Sequence, residues 1–341
     1  MIPEEKRAAV ARCLNEAFGV SEFESIEDLT ERPGSNRAFR IVVEGTSYLL
    51  RINTRPGDMA RHFACMRAAA EAGLAPRVLY SSAEDRASIT DFVVAVPFVK
   101  SDALRHVPVA LRILHSLAAF PTAPFNTTCT FLLNQGPMLD GFLEKFRVAK
   151  VMPEPDLEEL LAQFERIATI CRGLEPDLTP SHNDLFKPDN MLFDRSRLWL
   201  VDWEASFQND RYADLAVVAN MLVADQAEER DFLTAYFGAP PTAYQSARLH
   251  LMQQLAHVFY ALAFLNLGAT KKPIDWSEGA PEYSEFQQRF WAREVGLADD
   301  HSKAVFGRAH LEELRRIGSE RRFEESVRAV GDGQHAIQDD Q

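Results

Sequence analysis

The stretch SHNDLFKPDN, residues 181–190, is followed at once by MLF, a polar DRSR and then LWLVDWE. Two short apolar runs separated by a polar break specify an antiparallel hairpin. With Asp194–Arg197 as the turn, Phe193 faces Leu198, Asn190 faces Val201 and Asp189 faces Asp202. A one-residue change in loop length sets Asn190 opposite Asp202 instead. In either register the end of the polar loop and Asp202 meet at the open end of the hairpin. A carboxylate beside an amide oxygen, with another carboxylate in the adjoining loop, is a hard oxygen-ligand set. Mg²⁺ takes such a set when it keeps its waters and borrows further ligands from a phosphate chain. Asp184 falls in the same pocket but several residues from the metal pair, where it can accept a proton from a hydroxyl.

The rest of the chain bounds what can surround this loop. At 341 residues it can bury a substantial core, divided over two lobes or domains. A net charge of −13 without a basic stripe argues against a nucleic-acid partner. It favours cationic small molecules by long-range attraction, or serves solubility alone. Cys13, Cys65, Cys129 and Cys171 show no CxxC spacing, which suits reduced thiols rather than a disulfide framework or a zinc site. No apolar run approaches transmembrane length, and Met1 opens a charged segment rather than a signal peptide. A cytoplasmic protein without a membrane partner is expected.

Residues 3–18 read as a helix. A β-rich block follows, with Ala38–Val43 and Tyr48–Ile52 as a hairpin. Residues 58–72 form a helix stopped by Gly73. Strands near Arg77–Tyr80 and Ala87–Val96 flank the turn AEDR. Past Pro97 the pattern is helical, at Ala110–Ala119, Asp140–Ala149, Asp156–Arg172, Tyr212–Ala224, 244–267 and 280–297. The last dozen residues read as a frayed tail. The expected division is residues 1–96, then 97–329, then a tail at 330–341.

The run His182-x-Asp184 with Asn190, the strand pair ending Val201-Asp202-Trp203-Glu204, and then Asp214-Leu215-Ala216 resembles the aminoglycoside phosphotransferase and choline kinase superfamily. HNDL with DWE and NDRYADLA looks closest to its choline/ethanolamine kinase-like branch. The resemblance implies an α+β, bilobal protein-kinase-like fold, with a small antiparallel-sheet N-terminal lobe that binds the nucleotide. A larger, mainly helical C-terminal lobe would carry the catalytic loop and the acceptor site. It also implies transfer of the γ-phosphoryl of ATP, with Mg²⁺, to the hydroxyl of a small-molecule acceptor. Asp184 then matches the catalytic Asp, while Asn190 and Asp202 match the metal ligands. Arg51 takes the place of the strand lysine on the α/β-phosphates. His182 supports the loop, and Asp214 ties a helix start to it. The phosphate loop falls on RPGSNR, with Gly34, Ser35 and Asn36 as nucleotide contacts.

This chain departs from that pattern in its catalytic loop, in its first-lobe helix, and in the phosphate loop 32–37, which has the single Gly34 where relatives often show two. LFKPD puts five residues between Asp184 and Asn190 where the family has four, so either the loop bulges or Asp189 shares the metal role. Lys187 in that loop either neutralises the transferring phosphoryl or is solvated. The first-lobe helix places His62 where relatives carry a Glu to pair with the strand cation. Glu204 is either a supporting carboxylate or a metal or substrate contact. Trp203, Tyr212, Tyr260, Trp276, Tyr283 and Trp291 either pack the core or wall a cationic pocket. His115 reads as a buried structural residue.

Choline or ethanolamine leads among acceptors, with an aminoglycoside, amino sugar or sugar alcohol as the alternative. A nucleotide-binding pseudokinase should have lost Asp184 or Asp202, and both are present. A protein kinase should carry a DFG-type glycine after Asp202, where this chain has Trp203-Glu204, and an APE-like segment, which it lacks.

Overall fold

The computed structural model describes residues 2–30, 36–118, 120, 143–144 and 146–339. The chain divides into two compact units. One combines Met1–Phe98 with Arg112–Ala123 and Thr179–Gln208; the other holds Val99–Leu111, Pro124–Leu178 and Asn209–Gln341. The first unit therefore takes in the predicted catalytic hairpin, which the sequence division had grouped with the helical half.

In the first unit, α1 (Arg7–Phe18) and α2 (Met59–Glu71) accompany a five-stranded antiparallel sheet. Its strands are β1 (Ser25–Asp28), β2 (Arg37–Val43), β3 (Thr46–Ile52), β4 (Val78–Ser82) and β5 (Ala87–Asp91), in the order β1-β2-β3-β5-β4. The β2–β3 turn is two residues long, between the paired Val43 and Thr46. Glu44 and Gly45 both take positive φ, 49° and 70°, the geometry that matches strand twist in a tight hairpin. Strand alternation then buries Phe39, Ile41, Leu50 and Ile52 against Val10 and Leu14 of α1.

β5 stops at Asp91, short of the expected Val96, and Val96 instead donates its backbone N–H to Phe193 of the hairpin at 2.8 Å. Asp58 caps α2 by accepting from the Arg61 backbone N–H, and Gly73 ends the helix in the left-handed region at φ 74°. The next residue, Leu74, accepts from the Leu200 backbone N–H at 2.7 Å, which fixes the hairpin to the end of α2.

The hairpin strands are β7 (Met191–Phe193) and β8 (Leu198–Leu200). β6 (Leu178–Ser181) pairs with β9 (Phe207–Asp210) on either side of it in sequence.

The second unit is helical. α3 (Lys100–His115) begins ten residues before the expected start, retains Pro108 inside it, and passes into the first unit from Arg112 onward. α4 (Glu154–Cys171), α5 (Arg211–Leu222), α6 (Gln226–Phe237), α7 (Ala243–Gly268), α8 (Tyr283–Trp291), α9 (Asp300–Gly318) and α10 (Arg321–Asp339) follow. Of the expected helix Asp140–Ala149, residues 143–144 and 146–148 are helical, and 140–142 and 145 lie outside the described residues.

α7 is the central element. Thr242 and Gln245 close a reciprocal capping box at its start, and α4, α5, α9 and α10 pack on it. The stretch 330–341, read from the sequence as a tail, continues α10 as far as Asp339. Phe323, Ser326 and Val330 recur at helical spacing and are buried, so packing anchors the first half of this helix. His115 is buried, as expected. Cys13 and Cys65 are buried thiols and Cys171 is a half-buried one; Cys129 lies outside the described residues. Among the described residues no helix is long and apolar enough to cross a membrane.

Candidate active site

The hairpin takes the first of the two registers open to the sequence. Met191 pairs with Leu200, Leu192 with Trp199 and Phe193 with Leu198, and Val201 donates to the Asn190 carbonyl at 3.0 Å. Asp194 sets this turn. Its Oδ1 accepts from the backbone of Ser196 at 2.8 Å and of Arg197 at 2.9 Å, and its Oδ2 accepts from Trp199 Nε1 at 2.7 Å. Burial opposes the Asp194 charge, but these donors outweigh it and hold the carboxyl well below its ordinary range.

The extra residue between Asp184 and Asn190 is absorbed in a 3-10 turn, Pro188–Asn190, closed by the Asn190 N–H on the Lys187 carbonyl at 3.1 Å. That turn leaves Asp189 exposed and Asn190 buried. Asn190 Nδ2 donates to the Asp184 carbonyl at 2.7 Å and to its Oδ2 at 3.0 Å. Lys187 Nζ lies 2.8 Å from the same Oδ2, so the lysine pairs with the carboxylate while its side chain stays partly exposed. Burial raises the Asp184 pKa above the ordinary carboxylate value against the pull of Lys187. Desolvation opposes the charge on Lys187, yet Asp184 holds its pKa above the ordinary lysine value.

His182 anchors the other side of the loop. It is fully buried, with Nε2 2.9 Å from the Val201 carbonyl and its ring 4.7 Å from that of Trp203. Asn183, in the left-handed region at φ 66°, donates to the Ala205 carbonyl at 3.1 Å. Thus both flanks of Asp184 are tied to the segment that follows β8.

Asp202 adopts φ 70° and ψ 60°. Such a left-handed conformation costs a non-glycine residue about 1–2 kcal/mol. Its Oδ1 is 3.3 Å from Arg51 of β3. That oxygen is buried and accepts no hydrogen bond. Burial works against the charge, but Arg51, then Lys187, lower the Asp202 pKa and keep it ionised. A desolvated, ionised carboxylate oxygen without a hydrogen-bond donor fits a cation ligand. Asn190 spends its amide N–H group on Asp184, which leaves the amide oxygen for the same purpose. Among the described residues no cluster of three or more His, Cys, Asp or Glu side chains forms a self-sufficient metal cage. A cation here therefore needs phosphate oxygens and water to complete its shell.

Five contacts escaped the sequence. Arg61 of α2 donates through Nη1 to the Ser206 carbonyl and through Nη2, at 3.2 Å, to the Glu204 carbonyl. Asn36 donates to Glu204 Oε2 at 3.2 Å, and its own Oδ1 accepts from the backbone of Thr54 and Arg55. Glu204 itself has a raised pKa, from burial and then from Asp202 beside it. None of these has a local sequence signal, because each joins residues far apart in the chain.

The other predicted nucleotide contacts, Gly34 and Ser35, lie outside the described residues. His62 is buried near Arg51 and Asp202 but its Nδ1 has no hydrogen-bond partner. Asp214 is buried in α5; the side chain that caps α5 is Asp210, which accepts from the Tyr212 N–H at 3.0 Å and from Arg248 at 2.6 Å. Trp203, Tyr212, Tyr260 and Tyr283 are core residues, while Trp276 and Trp291 are half-buried.

Comparison with known proteins places these residues in context. The model of the phosphotransferase enzyme family matches residues 28–250. Protein LicA of Haemophilus influenzae is 34% identical over 101 residues, 30% of this chain and 34% of LicA, so the similarity spans about a third of that relative. A choline/ethanolamine kinase family protein from Mesorhizobium loti superposes with a TM-score of 0.66 at 18% identity, over 95% of this chain and 99% of that one. A ternary complex of streptomycin, ATP and APH(2")-IIa superposes with a TM-score of 0.57 at 17% identity, over 79% of this chain and 92% of that one. The fold is that of the protein-kinase-like phosphotransferases.

Proposed function

Because the chain belongs to the phosphotransferase enzyme family, we propose that it transfers the γ-phosphoryl group of ATP to a hydroxyl of a small, cationic acceptor such as choline or ethanolamine. The observation that carries this reading is the grouping of Asp184, Lys187, Asn190, Asp202 and Arg51 in one unit, with two carboxylates in opposite electrostatic settings. Asp184 is buried and has a raised proton affinity; Asp202 is held ionised by cations. The first suits proton acceptance and the second suits metal binding.

In the reaction the acceptor oxygen attacks the γ-phosphorus, the bond to the β-phosphate oxygen breaks, and ADP leaves. Asp184 orients the acceptor hydroxyl and takes its proton. Asn190 and Lys187 fix the Asp184 carboxylate, and Lys187 balances its charge before the proton arrives. Asn190 and Asp202 would hold Mg²⁺, which when bound neutralises charge on the phosphates. Arg51 exchanges its contact with Asp202 for the phosphate oxygens. Gly34, Ser35 and Asn36 are assigned to the nucleotide, together with the rest of residues 1–96. Acceptor selection is assigned to the helical residues 97–329.

The acceptor class rests on chemistry. A hydroxyl must reach Asp184, while an overall charge of −13 draws cations toward the protein. Choline and ethanolamine combine a hydroxyl and a cationic nitrogen on a short spacer. The likeness to a choline/ethanolamine kinase family protein supports them. Aminoglycosides and other amino sugars meet the same requirement, and the similarity to a streptomycin complex supports that second reading.

An ATP-consumption screen against choline, ethanolamine, aminoglycosides, sugars and amino acids tests both. The expected best substrate carries a cationic nitrogen near its hydroxyl, and its KM rises with salt more than that of ATP. A neutral or anionic best substrate would overturn the acceptor class, and no turnover with any hydroxyl would overturn the kinase reading.

A further inference from the structure

In α2 the only acidic residue is Glu71, at the exposed end of the helix. The strand cation Arg51 therefore has no carboxylate from α2, and its ion-pair partner is Asp202. The helix reaches the site by another route. Arg61 is mostly buried and places its guanidinium on the carbonyls of Glu204 and Ser206, two and four positions beyond Asp202. Cys65, one turn further along α2, directs its thiol to the same Ser206 carbonyl at 3.6 Å. The guanidinium also lies 5.9 Å from the centre of the Phe207 ring. The segment so held begins with a residue in a strained left-handed conformation, which persists only where its surroundings fix it.

We propose, on the premise of the phosphoryl-transfer reading, that Arg61 is a positioning residue for the metal carboxylate. It holds the backbone after Asp202 so that the carboxylate stays in the left-handed geometry that presents Oδ1. α2 thereby acts on the metal ligand through the backbone, not on the phosphate-gripping cation through an ion pair. The two arginines have separable duties: Arg51 serves the nucleotide phosphates, and Arg61 serves the cation site.

The test compares Arg61→Ala and Arg61→Lys with the wild type and with Arg67→Ala, a residue of the same helix whose side chain donates to Ser81 of β4. ATP binding is measured by calorimetry across a Mg²⁺ titration, with the melting temperature recorded for each protein. Loss of charge-assisted hydrogen bonds predicts about a tenfold or greater rise in the Mg²⁺ concentration for half-maximal binding in Arg61→Ala. Binding at saturating Mg²⁺ should recover, and Arg67→Ala should match the wild type. Should Arg61→Ala fail to fold, Arg61→Lys, which keeps one cationic donor, is expected to show a smaller rise in the same direction.

An Arg61 variant with a lower melting temperature but an unchanged Mg²⁺ requirement would make the residue merely structural and overturn the inference alone. So would a variant that weakens ATP binding equally at every Mg²⁺ concentration. A wild-type protein that binds no ATP with Mg²⁺ would overturn the phosphoryl-transfer reading, and the inference with it.

Discussion

The Asn190 side-chain amide holds Asp184 at two points, its main-chain carbonyl at 2.7 Å and its carboxylate Oδ2 at 3.0 Å. The neighbouring Asp189 points outward as an exposed residue of the same 3-10 turn. Under the proposed function, Asn190→Ala removes both a metal ligand and the positioning of the proton acceptor. Its kcat is expected to fall by about a hundredfold or more, as for other groups that preorganise charge. Asp189→Ala should change kcat less than about threefold, because an exposed substitution disturbs little. Steady-state kinetics on the two variants decides the matter, and the reverse order would assign the metal role to Asp189.

Lys187 and burial pull Asp184 in opposite directions. The base must be ionised to accept a proton, so activity rises as pH rises through its pKa. Lys187→Met removes the charge that lowers that pKa and leaves the burial that raises it. The acid limb of kcat/KM should move to higher pH, by about one unit, as when an opposite charge within ~4–6 Å is lost. A limb that stays in place would show that Lys187 does not govern Asp184.

The grouping of the candidate-site residues was legible in the sequence because they lie close together along it. His182, Asp184, Lys187, Asn190 and Asp202 fall within a single loop and hairpin, and the hairpin pairing follows from the four-residue turn and strand alternation. The supporting contacts were illegible for the complementary reason. Arg61 meets Ser206 across 145 positions and Asn36 meets Glu204 across 168, and neither residue carries a local pattern. In the fold, the β2–β3 hairpin and α2 announced themselves through Glu44-Gly45, Asp58 and Gly73. α6, α9 and α10 were not read from the sequence, although Asp225 and Gly238 bound α6 with the same kind of cap and Asp299 caps α9.

The α7–α9 crossing gives a stability test away from the chemistry. A methyl group on Gly268 would stand 2.7 Å from the backbone nitrogen of Ala304, and one on Gly307 would stand 2.7 Å from that of Leu265. Alanine favours a helix over glycine by about 1 kcal/mol, but overpacking into backbone costs about 1–3 kcal/mol. Both Gly268→Ala and Gly307→Ala are expected to lower the urea midpoint. An increase in either would mean that the two helices separate without penalty.

Acid stability should be governed partly by buried histidines. His257 Nδ1 lies 2.9 Å from His310 Nδ1 in the core of the helical unit, with Tyr283 packed on both rings. Burial lowers the His257 pKa to about 4, with Glu313 opposing and Arg316 reinforcing the shift. Burial, then His257, holds His310 well below its ordinary value, and burial, then Arg322, lowers His250 to about 3. These folded-state values lie below the ordinary 6.5, so the unfolded chain binds more protons than the folded one between about 6.5 and 4. The stabilisation from these neutral rings is complete above that window and is lost as pH falls through it. Each such group contributes a slope of up to about 1.4 kcal/mol per pH unit. Urea unfolding between pH 6.5 and 4.5 should show a steady loss of stability. The double variant His257→Met/His310→Met, which removes two of the three groups, should flatten it. An unchanged slope in that variant would place the acid sensitivity elsewhere, in His250, in His62, which burial lowers to about 4, or in the carboxylates.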